Sequence, residues 1–453
     1  MKKILALFFS FLAVFSFAQP GGRPNEIKKL IRIETANTAL VYAVGSNQKL
    51  YQLYLGEKLK SADEYQSMSP RNEAFVASGT DNLFEPAIKM LHNDGNPSLE
   101  LLYTDDSTVE KDNVLTTSIV LKDPKYPIEV KLNIAAFKAE NVFKIWTEIR
   151  HQEKEPVTMT NFASAMLHFD AEKYFLTQFH GDWAKEMRME ESQLTSGIKI
   201  IDSKLGTRAN MYEFPLFMLA KNQLATETSG EVIAANLGWT GSFQMLFEID
   251  NSNSLRVVSG INPFASEYHL KPNENFVTPE FIFTYSNHGK GLATRNLHNW
   301  ARNYGVLDGN GNRLTILNNW EATYFDFNEE KLTELFGGAK ELGVDVFLLD
   351  DGWFGNKYPR SNDRAGLGDW QETKTKLPHG IGYLVQQAEA KGVKFGIWIE
   401  PEMVNPKSEL YEKHPDWILK LPNRDEHYYR NQLVLDLTNP KVQDFVFGVV
   451  DEM

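Results

Sequence analysis

Through most of the first 290 residues, hydrophobic side chains recur at every second position. Ile128, Val130, Leu132 and Ile134 alternate with Glu129, Lys131 and Asn133. Phe143, Ile145, Thr147 and Ile149 do the same beside Lys144, Glu148 and Arg150. Successive side chains of a strand point to opposite faces, so this period predicts half-buried antiparallel strands. Phe243–Ile249 and Phe281–Tyr285 are further candidates. Short turn clusters separate the runs and no long helical stripe interrupts them. The stretch from about Arg32 to Ser286 is therefore expected to form a large sandwich.

The pattern changes near residue 290. Ala293–Tyr304 reads as a short helix, and Asp308-Gly-Asn-Gly-Asn312 as a turn cluster. Strand and helix patterns then alternate. Leu314–Trp320, Val344–Leu349 and Val393–Ile399 are strand candidates, the last two apolar enough to be buried on both faces. Asn328 is placed to cap a helix whose Leu332, Leu335, Phe336 and Ala339 share one face. Ile381–Ala390 reads as another helix. Asn405-Pro406 and Asn439-Pro440 carry the cap-and-first-turn signature of two more. This rhythm predicts a parallel sheet, and a closed eight-unit barrel of about 250 residues is its common form. Three or four strands fit after Leu314. Either the chain is part of a longer one, or the sheet is small and open.

Composition narrows the function. The net charge of −13 argues against nucleic acid or an anionic membrane as partner. The absence of cysteine excludes disulfides, zinc–thiolate sites and cysteine nucleophiles. Lys2-Lys3, the apolar run Ile4–Phe17 and the small residues of Ser16-Phe17-Ala18 read as an export signal cleaved before Gln19. No cysteine follows to carry a lipid, so a secreted or periplasmic protein is expected. No later stretch is long and apolar enough to span a membrane.

Candidate chemistry gathers where strands are expected to end. Gly343-Val-Asp-Val-Phe-Leu-Leu-Asp350-Asp351-Gly352-Trp353 runs from an apolar strand into two carboxylates, a glycine and an indole. Ligands of parallel α/β folds bind at that end of the strands. Paired carboxylates accept hydrogen bonds from sugar hydroxyls, and a tryptophan face stacks on a pyranose. The plainer reading is a turn-capping aspartate beside a core tryptophan. Asn318-Asn319-Trp320-Glu321, Trp398-Ile-Glu400-Pro-Glu402 and Arg430-Asn431-Gln432 have the same polar and aromatic character. Glu400 and Glu402 admit a catalytic-pair reading only if both lie on an extended strand. His379 and His414 lack metal-ligand spacing, and no Gly-rich phosphate loop follows a strand.

At these residues the sequence closely resembles the microbial α-galactosidases of glycoside hydrolase family 36. Gly343–Trp353, Asn319-Trp320-Glu321-Ala322, Gly368-Asp369-Trp370, Trp398–Pro406, His414-Pro-Asp-Trp417 and Arg430–Asp436 carry the resemblance. Gln178–Trp183, Asp202–Gly206 and Thr294–Arg302 extend it upstream. With the signal peptide over 1–18 and a helical linker over 291–312 read from the residues, the resemblance implies an N-terminal β-supersandwich over 19–290 and the first part of a (β/α)8 barrel over 313–453. It implies retaining hydrolysis of terminal α-galactosyl groups of melibiose- and raffinose-type sugars, with no metal or organic cofactor. Asp350 and Asp351 are expected to bind galactose hydroxyls, Trp320 and Trp398 to wall the sugar, and Arg430 to donate to a hydroxyl or to the nucleophile. A homotetramer is implied as well. The family's nucleophile lies in a Lys-x-Asp-x-Asn motif, which does not occur in residues 1–453, and its acid/base is a later aspartate. Catalytic residues are therefore expected beyond Met453, leaving this stretch inactive by itself. A galactoside-binding remnant and a transferase of the raffinose-synthase type are the alternatives.

Overall fold

The computed structural model describes residues 26–453. The expected signal peptide lies outside them. The chain forms two compact units that divide between Asn310 and Gly311.

The first unit is built from antiparallel sheets of four, six and ten strands. The strand pattern predicted over Ile128–Phe137 and Val142–His151 is present, the two paired in register from Ile128↔His151 to Phe137↔Val142. Val157–Asp170 is the longest strand, and bulges near Ala163 and Asn161 let it serve several partners. One half pairs with Ser254–Ile261, the other with Ile88–Leu91 and Tyr268–Leu270. A bulge re-aims a strand without ending it. Phe217 and Phe281 of the ten-stranded sheet lie in one apolar core with Phe247 of the six-stranded sheet, and Phe217 meets Phe247 edge-on at 4.9 Å. The predicted helix begins earlier than expected, at Gly289, and runs to Trp300 before a π-turn over Ala301–Gly305. Its Ala293 is buried with Ala220, Val232 and Ala234 of the sandwich strands.

In the second unit, β1 (Ile316–Asn318), β2 (Val346–Leu349) and β3 (Lys394–Ile397) form a parallel sheet in that order. Helix α1 (Glu329–Glu341) follows β1 and α2 (Ile381–Lys391) follows β2. Asn328 caps α1 as predicted, its side chain accepting from the Lys331 amide at 2.9 Å. Leu332, Phe336 and Ala339 are fully buried, and Phe336 meets Phe347 of β2 edge-on at 4.8 Å. Helix α3 (Pro440–Glu452) is capped by Asn439, also as predicted.

Four expectations need correction. β1 stops at Asn318, and Trp320 opens a single helical turn. β2 and β3 are not buried on both faces: Phe347 and Leu349 are buried, whereas Val346, Leu348 and Ile397 are half-buried. Asn405-Pro406 opens no helix; Asn405 is held in a buried polar network, and Ser408 caps the next helix, Glu409–Lys413. Leu433–Val434 is no fourth parallel strand, but pairs antiparallel with Met403–Val404. Among the described residues, no helix is long and apolar enough to cross a membrane.

Candidate active site

The parallel register places the carboxyl ends of β1, β2 and β3 along one edge. The polar residues that follow each strand meet there. The Asn319 amide donates to the Leu348 carbonyl (3.3 Å), and the Asn319 side chain accepts from the Asp350 amide (2.7 Å). Asn318 bridges its neighbours: its side-chain oxygen accepts from the Trp320 amide (2.7 Å) and its Nδ2 donates to Asp350 Oδ2 (2.5 Å). Asp350 Oδ1 accepts from the Asp351 amide (2.6 Å). Asp350 is thus half-buried and pinned by neutral donors.

Asp351 is held differently. It is 6% exposed and faces the fully buried Arg360. Arg360 Nε donates to both carboxylate oxygens (2.8 and 3.1 Å), and Nη2 donates to Oδ2 (2.7 Å). A planar guanidinium matches a carboxylate in this two-pronged way, which fixes orientation as well as charge. Arg360 Nη1 goes on to the Ala365 carbonyl (3.2 Å) and Asn405 Oδ1 (3.0 Å). Gly352 follows with φ +107°, where a Cβ would press on Phe325 at 3.0 Å, so a side chain is excluded by backbone and by space.

Lys376 stitches the loops behind this pair. Its Nζ donates to the carbonyls of Phe325 (2.8 Å), Gly352 (2.8 Å) and Arg360 (3.2 Å). Burial pushes its ammonium down to about 8, against the pull of Asp351 and Asp326.

The tryptophans divide. Trp353, expected to face a sugar, is fully buried and donates its indole N–H to the Trp398 carbonyl at 2.9 Å. It packs with Phe354 and Trp370, so the plainer core reading holds for it. Trp398 is half-buried, with Trp370 at 6.2 Å and Phe354 at 6.5 Å behind it. Trp320 is also half-buried, braced edge-on by Phe325 at 5.1 Å. Both present open area at the strand ends.

Arg430 is exposed and stands in a turn where both it and Asn431 have positive φ, 52° and 61°. That turn joins the rim through Asn405, whose Nδ2 donates to the Asn431 carbonyl at 2.9 Å. Asp350, Asp351, Trp320 and Trp398 are therefore joined through these bonds, and Arg430 is tied in through the carbonyl of its neighbour Asn431. Glu400 and Glu402 lie beyond the end of β3, in the turn around Pro401, so the extended-strand premise of a catalytic pair fails. Burial, then the charge of Glu402, raises Glu400 above the usual carboxylate range. Asp369 is buried and accepts from the amides of Glu409 and Leu410, a cap rather than a ligand. His379 pairs with Glu329 and His414 stacks on Trp417. Among the described residues no group of three or more His, Asp or Glu could hold a metal ion.

Comparison with known proteins shows the family. Residues 48–271 match the glycosyl hydrolase family 36 N-terminal domain, and residues 275–453 match Melibiase. The chain belongs to glycoside hydrolase family 36. It is 37% identical over 340 residues to alpha-galactosidase AgaA of Geobacillus stearothermophilus, covering 75% of this chain and 46% of that protein. Alpha-galactosidase C of Emericella nidulans is 34% identical over 370 residues, covering 80% and 49%. The crystal structure of AgaA superposes with a TM-score of 0.87 at 30% identity, over 94% of this chain and 64% of that one. The galactosidase domain of the alpha-galactosidase–sucrose kinase AgaSK gives 0.87 at 29%, over 93% and 63%; a relative described as this bifunctional enzyme comes from Mediterraneibacter gnavus. Engineered forms of AgaA have been solved with raffinose and with stachyose. The chain spans about half the length of the curated relatives it matches. The β-rich N-terminal part and the partial α/β region of this chain superpose on part of the solved family member.

Arg360, Asn405 and Lys376 are missing from the sequence-derived site. Arg360 sits in the loop between Trp353 and Trp370 with no periodicity to mark it. Asn405 carried a helix-cap signature that disguised it.

Proposed function

We propose that the protein to which these residues belong is a retaining α-galactosidase, releasing terminal non-reducing α-D-galactosyl groups from melibiose- and raffinose-type sugars. The observation that carries this reading is the aspartate pair at the carboxyl end of β2, ordered by Asn318, Asn319 and Arg360. Asp350 and Asp351 would accept from the galactose C4 and C6 hydroxyls. The C4 hydroxyl is axial in galactose and equatorial in glucose, so fixed acceptors there discriminate the two. Trp320 and Trp398 would wall the ring, and Arg430 would donate to a hydroxyl or to the nucleophile.

In this reading the rim supplies binding, while bond cleavage needs a nucleophile at the anomeric carbon and a proton at the leaving oxygen. Retaining enzymes hold two carboxyls roughly 5–5.5 Å apart for this purpose. The nucleophile is assigned to a Lys-x-Asp-x-Asn motif outside residues 1–453 and the acid/base to a later aspartate. We further propose export, with cleavage before Gln19, and a homotetrameric assembly. N-terminal sequencing of the secreted protein and light scattering test these two points.

The main test is hydrolysis of melibiose by the protein from its complete reading frame, followed by proton NMR. α-Galactose formed first supports retention, and β-galactose formed first rules it out. Galactose transfer to sucrose or myo-inositol in preference to water would mark a transferase. Saturable galactose binding with no turnover would leave a binding protein. Asp350→Asn is expected to lower kcat/KM by about 100-fold or more, since a misplaced or missing contact at the reacting sugar costs on that order.

A further inference from the structure

We propose that Asn405 is a positioning residue that locks the Arg430 turn and the Asp351–Arg360 pair into one frame. The proposal rests on the galactoside reading above for its link to activity. Asn405 is fully buried, and both ends of its carboxamide are saturated. Oδ1 accepts from Arg360 Nη1 (3.0 Å) and from the Leu367 amide (3.1 Å). Nδ2 donates to the carbonyls of Asp363 (3.2 Å) and Asn431 (2.9 Å). Only a primary amide offers two acceptor sites at one end and two N–H groups at the other.

The arm to Asn431 matters because the turn it holds is strained. Arg430 and Asn431 sit at φ 52° and 61°. Asparagine tolerates left-handed backbone, but an arginine there is strained, so Arg430 stays only while its surroundings insist. The turn is also tied by the exchange of backbone hydrogen bonds between Tyr429 and Gln432, at 3.1 and 3.0 Å, and by a long bond from Asn431 Nδ2 to Asp363 Oδ2 at 3.4 Å. Without the Asn405 bond, Arg430 relaxes toward extended backbone and its guanidinium leaves the rim. The arm to Arg360 is independent of this, since Asp351 grips Arg360 directly. Asn405 thus makes the Arg430 contact conditional on the same frame that orients Asp351.

Asn405→Asp separates the arms. Its carboxylate still accepts from Arg360 and Leu367, but it turns an acceptor toward the Asn431 carbonyl. Asn405→Ser, whose hydroxyl serves one arm at a time, replaces it if the aspartate variant does not fold. Two readouts are taken on the full-length protein. The first is amide exchange at Gln432, expected to rise about tenfold as the local opening becomes easier. The second is a cycle with Arg430→Ala: that change is expected to cost about 100-fold in kcat/KM in the parent and under about fivefold in the Asn405 variant. A purely structural Asn405 would give additive losses instead. Unchanged exchange, or an equal Arg430→Ala loss in both backgrounds, overturns the proposal. A parent protein without activity on any α-galactoside overturns the galactosidase reading alone, and amide exchange still decides the role of Asn405.

Discussion

Replacing Arg360 by leucine strands the Asp351 carboxylate in a site that is only 6% exposed. Breaking one side of a buried ion pair costs about 3–5 kcal/mol, because the remaining charge is left unpaired. Urea unfolding should show that loss, and Asp351→Asn in the same background should recover part of it. His168 gives a pH-dependent case. Burial, and then Arg256, lowers it from its ordinary range to about 3, and its Nε2 donates to the Glu73 carbonyl at 2.9 Å. Between the unfolded value near 6.5 and the folded value near 3, the unfolded chain binds the extra proton. Stability from this group is therefore complete above that window and is lost as pH falls through it. Denaturant unfolding from pH 7 to pH 4 should show a steeper loss in the parent than in His168→Gln. Lys376 should titrate near pH 8 by NMR of its Nζ; a transition in the ordinary lysine range would contradict its burial. Asp350, Asp351, Trp320 and Trp398 were legible as residues following strands because strand-end polarity is a local signal, whereas Arg430 stands in a turn and follows no parallel strand. Arg360 and Lys376 were not, since they lie in loops whose neighbours carry no period, and the bonds of Lys376 reach carbonyls of three separate loops.

At the scale of elements, the sequence was informative wherever one physical signal stood uncontested. Asn328 and Asn439 announced α1 and α3 correctly because an asparagine preceded an amphipathic run. Asn328→Ala should destabilise the second unit by about 1 kcal/mol, measured by chemical unfolding, as expected for a lost N-cap. The same signature misled at Asn405. There the tertiary demand for a four-bonded carboxamide overrode the local preference for a cap. Strand ends were misplaced for a related reason. Trp320 continues the apolar pattern of Leu314–Trp320, yet Asn318 captures the Trp320 amide and turns the chain into a helical turn. The burial of β2 and β3 was overestimated because an apolar run shows that faces are hydrophobic, not what covers them.

Over the whole molecule, the change from period two to alternating strand and helix marked the passage from sandwich to parallel sheet. Sheet pairing lay beyond such reading, because the order of ten antiparallel strands depends on contacts far apart in the chain. The second unit also exposes large apolar side chains: Leu342 at 74%, Phe447 at 72%, Ile316 at 62% and Val450 at 56%. Large apolar side chains left in solvent favour association. Residues 26–453 produced alone should therefore self-associate in sedimentation experiments, and Phe447→Glu should shift the distribution toward monomer. An unchanged monomeric profile for the parent would remove the argument.

The pairing of Asp351 with Arg360 has a consequence for ionic strength. One of the two rim carboxylates is neutralised inside the protein, so Asp351 adds no unpaired charge to the field an arriving ligand meets. Neutral sugars carry no charge for that field to act on, and their affinity should hold steady as salt rises through the Debye-screening range. A cationic amino sugar would instead feel the unpaired charges of the rim, and any difference from the neutral sugar would fade as the medium became more saline.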